Sequence, residues 1–162
     1  MMTEILELLE RDATLSAAEI AERIGHAEAE VAEELAKIER DGTIAARVAV
    51  VDWDRARARE GGVAALIEVK ISPQRGEGYD RIAERIARYD EVESLYLMSG
   101  SFDLAVMIRA RNMREVSEFV FAHLATIDGV TSTATHFIMK RYKERHMAFE
   151  PPVEQEERGL FV

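Results

Sequence analysis

Between Val63 and Lys143 the spacing of apolar residues switches between the strand period and the helix period in a fixed order, and no other feature of the chain narrows its fold so far. "VAALIEVKIS" (63–72), "VESLYLMSG" (92–100), "FDLAVMIRA" (102–110) and "VTSTATHFIMKRY" (130–142) carry the β-branched and apolar content of strands. Ile82, Ile86 and Tyr89 mark one helix over 79–89; Met113, Val116, Val120 and Leu124 mark the buried side of another over 113–126. Pro73 and Gly76 turn the chain out of the first strand, and a short turn at Gly100-Ser101 divides the second strand from the third. The order is β-α-β-β-α-β. With connections this short it specifies a ferredoxin-like unit, two helices over one face of a four-stranded antiparallel sheet. The other face stays bare. Leu66, Tyr96, Ala105 and Ile138 are expected there, too apolar to stay wet, and a second copy can cover them by two-fold symmetry.

Residues 1–50 have a different rhythm. Thr3 is expected to cap a first helix reaching Arg11, with Ile5, Leu8 and Leu9 on one face. Ser16 and Glu19 have capping-box spacing, Ile20, Ala21 and Ile24 follow, and Gly25 ends a second helix. Val31, Leu35 and Ile38 stand at i, i+4 and i+7 in a third, which closes at Arg40-Asp41-Gly42. Three helices joined through the tight turn Gly25–Ala27 make a helix-turn-helix. "TIAARVAVVDW" (43–53) reads as extended chain, a wing and exit strand; Trp53 is expected to pack at the hinge. "DRARAREGG" (54–62) is charged, poor in apolar residues and closes on two glycines, as a linker does. The fold class is therefore α+β. A winged helix-turn-helix occupies 1–50, a hinge 51–62 and the ferredoxin-like domain 63–143. An acidic tail fills 144–162, expected to be flexible up to Arg158, with Leu160, Phe161 and Val162 either docking or fraying.

Charge is unevenly divided. Residues 1–50 hold 5 basic and 12 acidic side chains, net -7; residues 51–162 hold 16 and 19, net -3; the chain carries -10. A nucleic-acid binder usually has a basic face, so the half shaped like a DNA reader is the more acidic half. There is no cysteine, which removes disulfides and thiolate metal sites and fits a reducing cytoplasm. No apolar run is long enough to span a membrane, and the first residues lack the basic start of an export signal. His26, His123, His136 and His146 have no metal-ligand spacing, Ser99 and Ser101 have no adjacent His–Asp arrangement, and no glycine-rich phosphate loop follows a strand. No metal, no cofactor and no enzymatic activity are expected.

These features together resemble the Lrp/AsnC, or feast/famine, family of transcription regulators over about residues 3 to 143. The strongest stretch runs from Glu91 to Lys143. It contains a valine-led strand at Val92, a Gly-x-x-Asp turn at Gly100 and Asp103, then Asp128-Gly129-Val130, then Thr133 and Thr135 in a Thr-x-Thr strand. The N-terminal match keeps the core positions Val31 and Leu35. It replaces the expected capping serine with Ala27 and the expected basic residues at 33 and 34 with glutamates.

The resemblance implies a winged helix-turn-helix, a hinge and a ferredoxin-like (RAM- or ACT-like) domain that binds a small amino acid or related metabolite near the Gly-x-x-Asp turn. On that implication Met98, Ser99, Gly100, Ser101, Phe102, Asp103, Thr133 and Thr135 form the effector site. Amides near Gly100 would take a carboxylate, Asp103 an ammonium group, and Met98 and Phe102 would line the side-chain end. A plain structural alternative stands beside it: a tight hairpin turn, a backbone-capping aspartate and two threonines that favour strands. Glu28, Ala29, Ala32, Glu33, Lys37, Arg40 and Arg47 would face duplex DNA, with Arg55, Arg57 and Arg59 either reaching the backbone or simply solvating the linker. The expected partners are DNA, the effector, and further copies in a homodimer assembling into a tetramer or octamer. The acidity of residues 28–34 keeps a second reading open, an effector-binding assembly module whose helix-turn-helix touches protein rather than DNA.

Overall fold

Ala65, Ile67 and Val69 alternate along the strand Val63–Ile71 (β1) and all point to one side, where each is fully buried. β1 lies between β3 (Leu104–Ala110) and β4 (Val130–Phe137), and β2 (Val92–Leu97) pairs with the outer edge of β3, giving the antiparallel order β2-β3-β1-β4. The register sets Ala65, Ile67 and Val69 opposite Ile108, Val106 and Leu104. Helices α5 (Tyr79–Ile86) and α6 (Met113–Phe119) cover this face with Ile82, Ile86, Val116 and Phe119. The structure is a computed structural model and describes residues 1–56, 62–72 and 78–149. Within these, Asp52–Tyr142 form one compact unit, and Met1–Val51 form another together with Lys143–Phe149. Pro73, Gly76, Arg57, Arg59 and the tail from Glu150 lie outside the described residues.

The opposite face of the sheet carries Ala64, Leu66, Ala105, Met107 and Tyr96; Leu66 pairs directly with Met107 and Tyr96 with Ala105. Tyr96 is 56% exposed. Ile138 continues the β4 register just past the strand's end, donating its N–H to the Ala64 carbonyl. Polar side chains interrupt the face, among them Glu68 and His136, whose Nε2 lies 3.2 Å from a Glu68 carboxylate oxygen. Before β4, Gly129 takes a left-handed φ of 93°, and a Cβ there would sit 3.1 Å from Ile82 Cδ1. This glycine is demanded by both backbone and packing.

Several expected boundaries shift. β2 stops at Leu97 and β3 starts at Leu104, so the predicted short turn is a six-residue loop, Met98–Asp103, closed by a bond from Met98 N–H to the Asp103 carbonyl. β4 stops at Phe137 rather than 142. The helix expected over 113–126 is α6 followed by a π-helical turn, Val120–Leu124, in which the Ala125 N–H reaches back to the Val120 carbonyl. Met113, expected on the buried side, is 54% exposed, and Phe119 fills the core instead. Tyr89, beyond the end of α5, packs edge-on against Phe119 with ring centroids 5.6 Å apart.

The first unit is built on α1 (Met2–Arg11), α2 (Ala17–Ile24) and α3 (Glu28–Arg40), with Ile5, Ile20, Val31 and Ile38 fully buried between them. Thr3 does not cap α1. The Met1 carbonyl already accepts the first helical bond, from Ile5, and places Thr3 inside the first turn. The capping box at α2 forms as its spacing requires: Glu19 N–H donates to Ser16 Oγ, and the Ser16 N–H and hydroxyl donate to the Glu19 carboxylate at 2.8 and 2.7 Å. Gly25 closes α2 in the left-handed region, φ 70°. Residues 45–52 pair with no strand of the described residues. A lone extended segment has no neighbour to complete its ladder. Trp53 instead opens a four-residue helical turn, α4 (Trp53–Ala56), in the second unit, under the guanidinium of Arg109 at 5.2 Å. The largest departure is at 144–149. This stretch, expected as flexible tail, is part of a hairpin, β5 (Lys143–Glu144) against β6 (Met147–Ala148), grouped with the helices of the first unit.

Candidate functional site

The loop Met98–Asp103 sits at one end of the sheet, where β1 finishes. Asp103 ties the two together: its N–H donates to the Val69 carbonyl at 3.0 Å and its carboxylate accepts the Ile71 N–H at 2.7 Å. The aspartate therefore has a structural duty in the isolated chain. Met98, Ser99, Gly100 and Ser101 are exposed and Phe102 is half-buried. Gly100 does not adopt a left-handed conformation, and a Cβ there would meet nothing within 4 Å. The sharp turn invoked for this glycine is thus not what it provides; it leaves the backbone of the loop open to approach from outside. Thr133 and Thr135 stand opposite Val69 and Ile67 on the edge strand β4, so both share the helix side of the sheet. Thr133 lies in the same row as Leu104 at the end of β3, with β1 between them, while Thr135 lies one side-chain repeat farther along, about 7 Å away. The loop and Thr133 thus share one end of the domain, and Thr135 extends away from it.

On α3 the buried stripe Val31, Leu35 and Ile38 leaves Glu28, Ala29, Ala32, Glu33, Lys37 and Arg40 exposed on the remaining surface. Their backbone start is held by half a capping box. Ala27 has no side-chain oxygen, but the Glu30 carboxylate accepts the Ala27 N–H at 3.4 Å. Beside α3 runs a groove of about 560 Å³ lined by Met1, His26, Glu30, Glu33, Glu34, Lys37 and Arg40. Glu34 is largely covered, its side chain 16% exposed, and lies 3.7 Å from the Lys37 ammonium. Glu33 is thus the exposed member of the pair that replaces the basic residues. Arg47 is not held out for a ligand: it pairs with Glu39 at 2.8 Å and donates to the Ala13 carbonyl at 3.2 Å. Acidic side chains beside helix ends here are also used internally. The hydroxyl of Ser16 beside Glu19 and that of Thr14 beside Asp12 hold both carboxyls below their ordinary range.

Sequence reasoning missed the cations of the β5–β6 hairpin. Lys143 and Arg145 are exposed in the same unit as α3, and His146 is exposed beside them. The signal was present as the run "KRYKERH", residues 140–146, which the tail assignment cut in two.

Comparison with known proteins follows the same division. Residues 64–148 match the Lrp/AsnC ligand binding domain and residues 3–45 match a winged helix-turn-helix DNA-binding domain. The uncharacterised HTH-type transcriptional regulator YugG of Bacillus subtilis is 45% identical over 148 residues, covering 91% of this chain and 89% of its own. An AsnC family regulator from Agrobacterium tumefaciens superimposes with a TM-score of 0.69 at 24% identity, covering 93% of this chain and 94% of its own. A transcriptional regulator from Neisseria meningitidis, solved as a complex with L-Met, gives 0.70 at 22% identity, with 88% and 90% covered. No helix among the described residues is long and apolar enough to cross a membrane.

Proposed function

The chain belongs to the Lrp/AsnC family of DNA-binding transcription regulators, which are not enzymes, and from that premise we propose that its hold on DNA responds to a small amino acid or related metabolite bound at the Met98–Asp103 loop. The observation that carries this reading is the loop itself. It is exposed, open above Gly100, and joined through Asp103 directly to the backbone of the central strand β1. A carboxylate reaching the loop amides would press on the segment that fixes β1, and the bare sheet face on β1 and β3 is where a second copy would sit. The Neisseria relative's L-Met supports an amino acid as the class of ligand. We place Thr133 beside the loop as a further contact; Thr135 belongs to the outer part of the site.

For DNA, α3 presents Ala29 and Ala32 with Glu28, Glu33, Lys37 and Arg40. Affinity for duplex DNA comes largely from cations displacing counterions, and this helix supplies few. Two copies in one assembly multiply a weak head through effective concentration, and a glutamate can accept from cytosine N4. One observation favours a second reading. The groove beside α3 carries three glutamates, which suits a basic protein partner better than phosphate.

An anisotropy titration with the gene's own upstream region at about 50 mM salt separates the two. Steep loss of binding as salt is added, with affinity changed by an amino acid, is the expected result. No binding at micromolar protein, with or without amino acids, moves the function to the protein-contacting alternative.

A further inference from the structure

The hairpin of residues 143–149 does not fit the role of a spent chain end. It follows the ferredoxin-like domain in sequence, yet it is grouped with the three helices of the first unit, and His146 Nε2 lies 3.8 Å from a carboxylate oxygen of Glu10 on α1. Its two-residue turn is formed by Arg145 at φ 44° and His146 at φ 69°, both in the left-handed region. Paired left-handed residues are the mark of the tight hairpin turn that asparagine and glycine fill without strain. Arginine and histidine fill it at a cost, since each carries a Cβ that crowds the carbonyl. A strained turn occupied by two side chains with cationic forms points to what those side chains do.

Charge gives the direction. Residues 1–50 hold 12 acidic side chains against 5 basic ones. Of those basic residues, Lys37 lies against Glu34 and Arg47 is paired with Glu39. On the hairpin, Lys143 and Arg145 are exposed and have no ion-pair partner among the described residues. The helix-turn-helix unit therefore has a two-stranded projection with unspent positive charge from another part of the chain.

We infer that β5–β6 is the phosphate-binding element of the helix-turn-helix unit, with Lys143 and Arg145 contacting the backbone of duplex DNA beside the segment read by α3. The inference rests on the DNA-binding reading above and adds residues to it. Contacts of this kind carry no sequence information; they set register and orientation and supply the salt-sensitive part of the affinity. They also resolve the acidity of α3. A helix that does not have to hold phosphates can carry glutamates when a separate element of the same unit supplies the cations.

The decisive variant is Arg145→Asn with His146→Gly. It puts the residues the turn prefers into the turn, keeps the hairpin and removes the Arg145 charge. DNA binding is measured against salt for the full chain, and thermal unfolding is measured alongside. The expected result is an unfolding midpoint equal to or above that of the parent, with affinity lower by about 50-fold at ~100 mM salt and a log–log salt slope smaller by about two for a dimer losing two contacts. Lys143→Glu, which lies in β5 outside the turn, is expected to act in the same direction. Arg145→Lys, which keeps the charge, is expected to restore the slope. If both charge-removing variants bind with the parent's slope and affinity, the hairpin has no part in DNA binding and the DNA reading stands without it. If the parent chain itself binds no duplex at ~50 mM salt, the DNA reading falls, and this assignment with it.

Discussion

Single side chains settle how each end of the molecule is held. Ser16 and Glu19 satisfy each other's backbone amides at the start of α2, so Ser16→Ala is expected to destabilise the first unit by about 1 kcal/mol in chemical denaturation. The Ser16 hydroxyl, then its N–H, hold the Glu19 carboxyl below the ordinary carboxylate range. Because the folded value is the lower one, this support is complete above the ordinary value and is lost as pH falls through the lowered one. Melting of the parent chain between pH 6 and pH 3 is expected to show that loss, and Glu19→Gln is expected to flatten that part of the curve. At the other unit, Asp103 has two duties that substitutions can separate. Asp103→Ala leaves the Ile71 N–H without its acceptor, a cost of about 1–3 kcal/mol. Asp103→Asn keeps an acceptor and loses the charge, so it is expected to melt near the parent while losing any thermal shift induced by an amino acid. A preserved shift would place the ligand elsewhere. Gly100→Ala tests the same loop from the backbone side: with open space around it and no left-handed φ, it is expected to leave stability within about 0.5 kcal/mol of the parent.

Elements differ in how much they depend on their surroundings. β1 is flanked by strands on both edges and by helices on one face, and Ile67 at its middle is fully buried opposite Val106. Ile67→Ala is expected to cost about 2–5 kcal/mol in the second unit by urea unfolding, with the spread set by how far α5 and α6 settle into the space. The π-helical turn after α6 shows the opposite dependence. Val120 and Leu124 on it both reach the core while Phe121 stands 74% exposed. No local propensity of these residues asks for a π turn over an α turn. The hairpin β5–β6 likewise forms against the preferences of its turn residues.

For the whole molecule the unresolved balance is the bare side of the sheet. Leu66, Met107, Ala105 and Tyr96 make it apolar at the centre, while Glu68 and His136 pair across strands nearby. If copies pair through this face, Leu66→Arg at its centre is expected to leave monomers in light scattering at micromolar concentration. Unfolding of the isolated domain should move little, since the side chain is not part of the buried core. Glu33→Arg tests the helix-turn-helix unit. If α3 lies along a groove, one exposed glutamate turned to arginine is expected to raise non-specific DNA affinity by about tenfold at ~100 mM salt. An unchanged affinity would take α3 out of contact with phosphate.

Periodicity alone determined a great deal of this protein. The alternation of Ala65, Ile67 and Val69, the helical spacing of Ile82 with Ile86 and of Val31, Leu35 and Ile38, and the punctuation by Gly25 and Gly129 specify the strands, the helices and their order, because each signal is local and one face of each element must be buried. The candidate site was legible in part, as a loop bounded by Gly100 and Asp103. What the sequence did not reveal is where side chains with more than one use would spend their bonds. Asp103 on Ile71, Arg47 on Glu39 and Glu34 beside Lys37 are choices among partners brought close only by the fold. The placing of Lys143–Phe149 with helices about a hundred residues earlier in the chain was likewise decided by tertiary structure. Two short strands and a strained turn carry too little local preference to hold a position of their own.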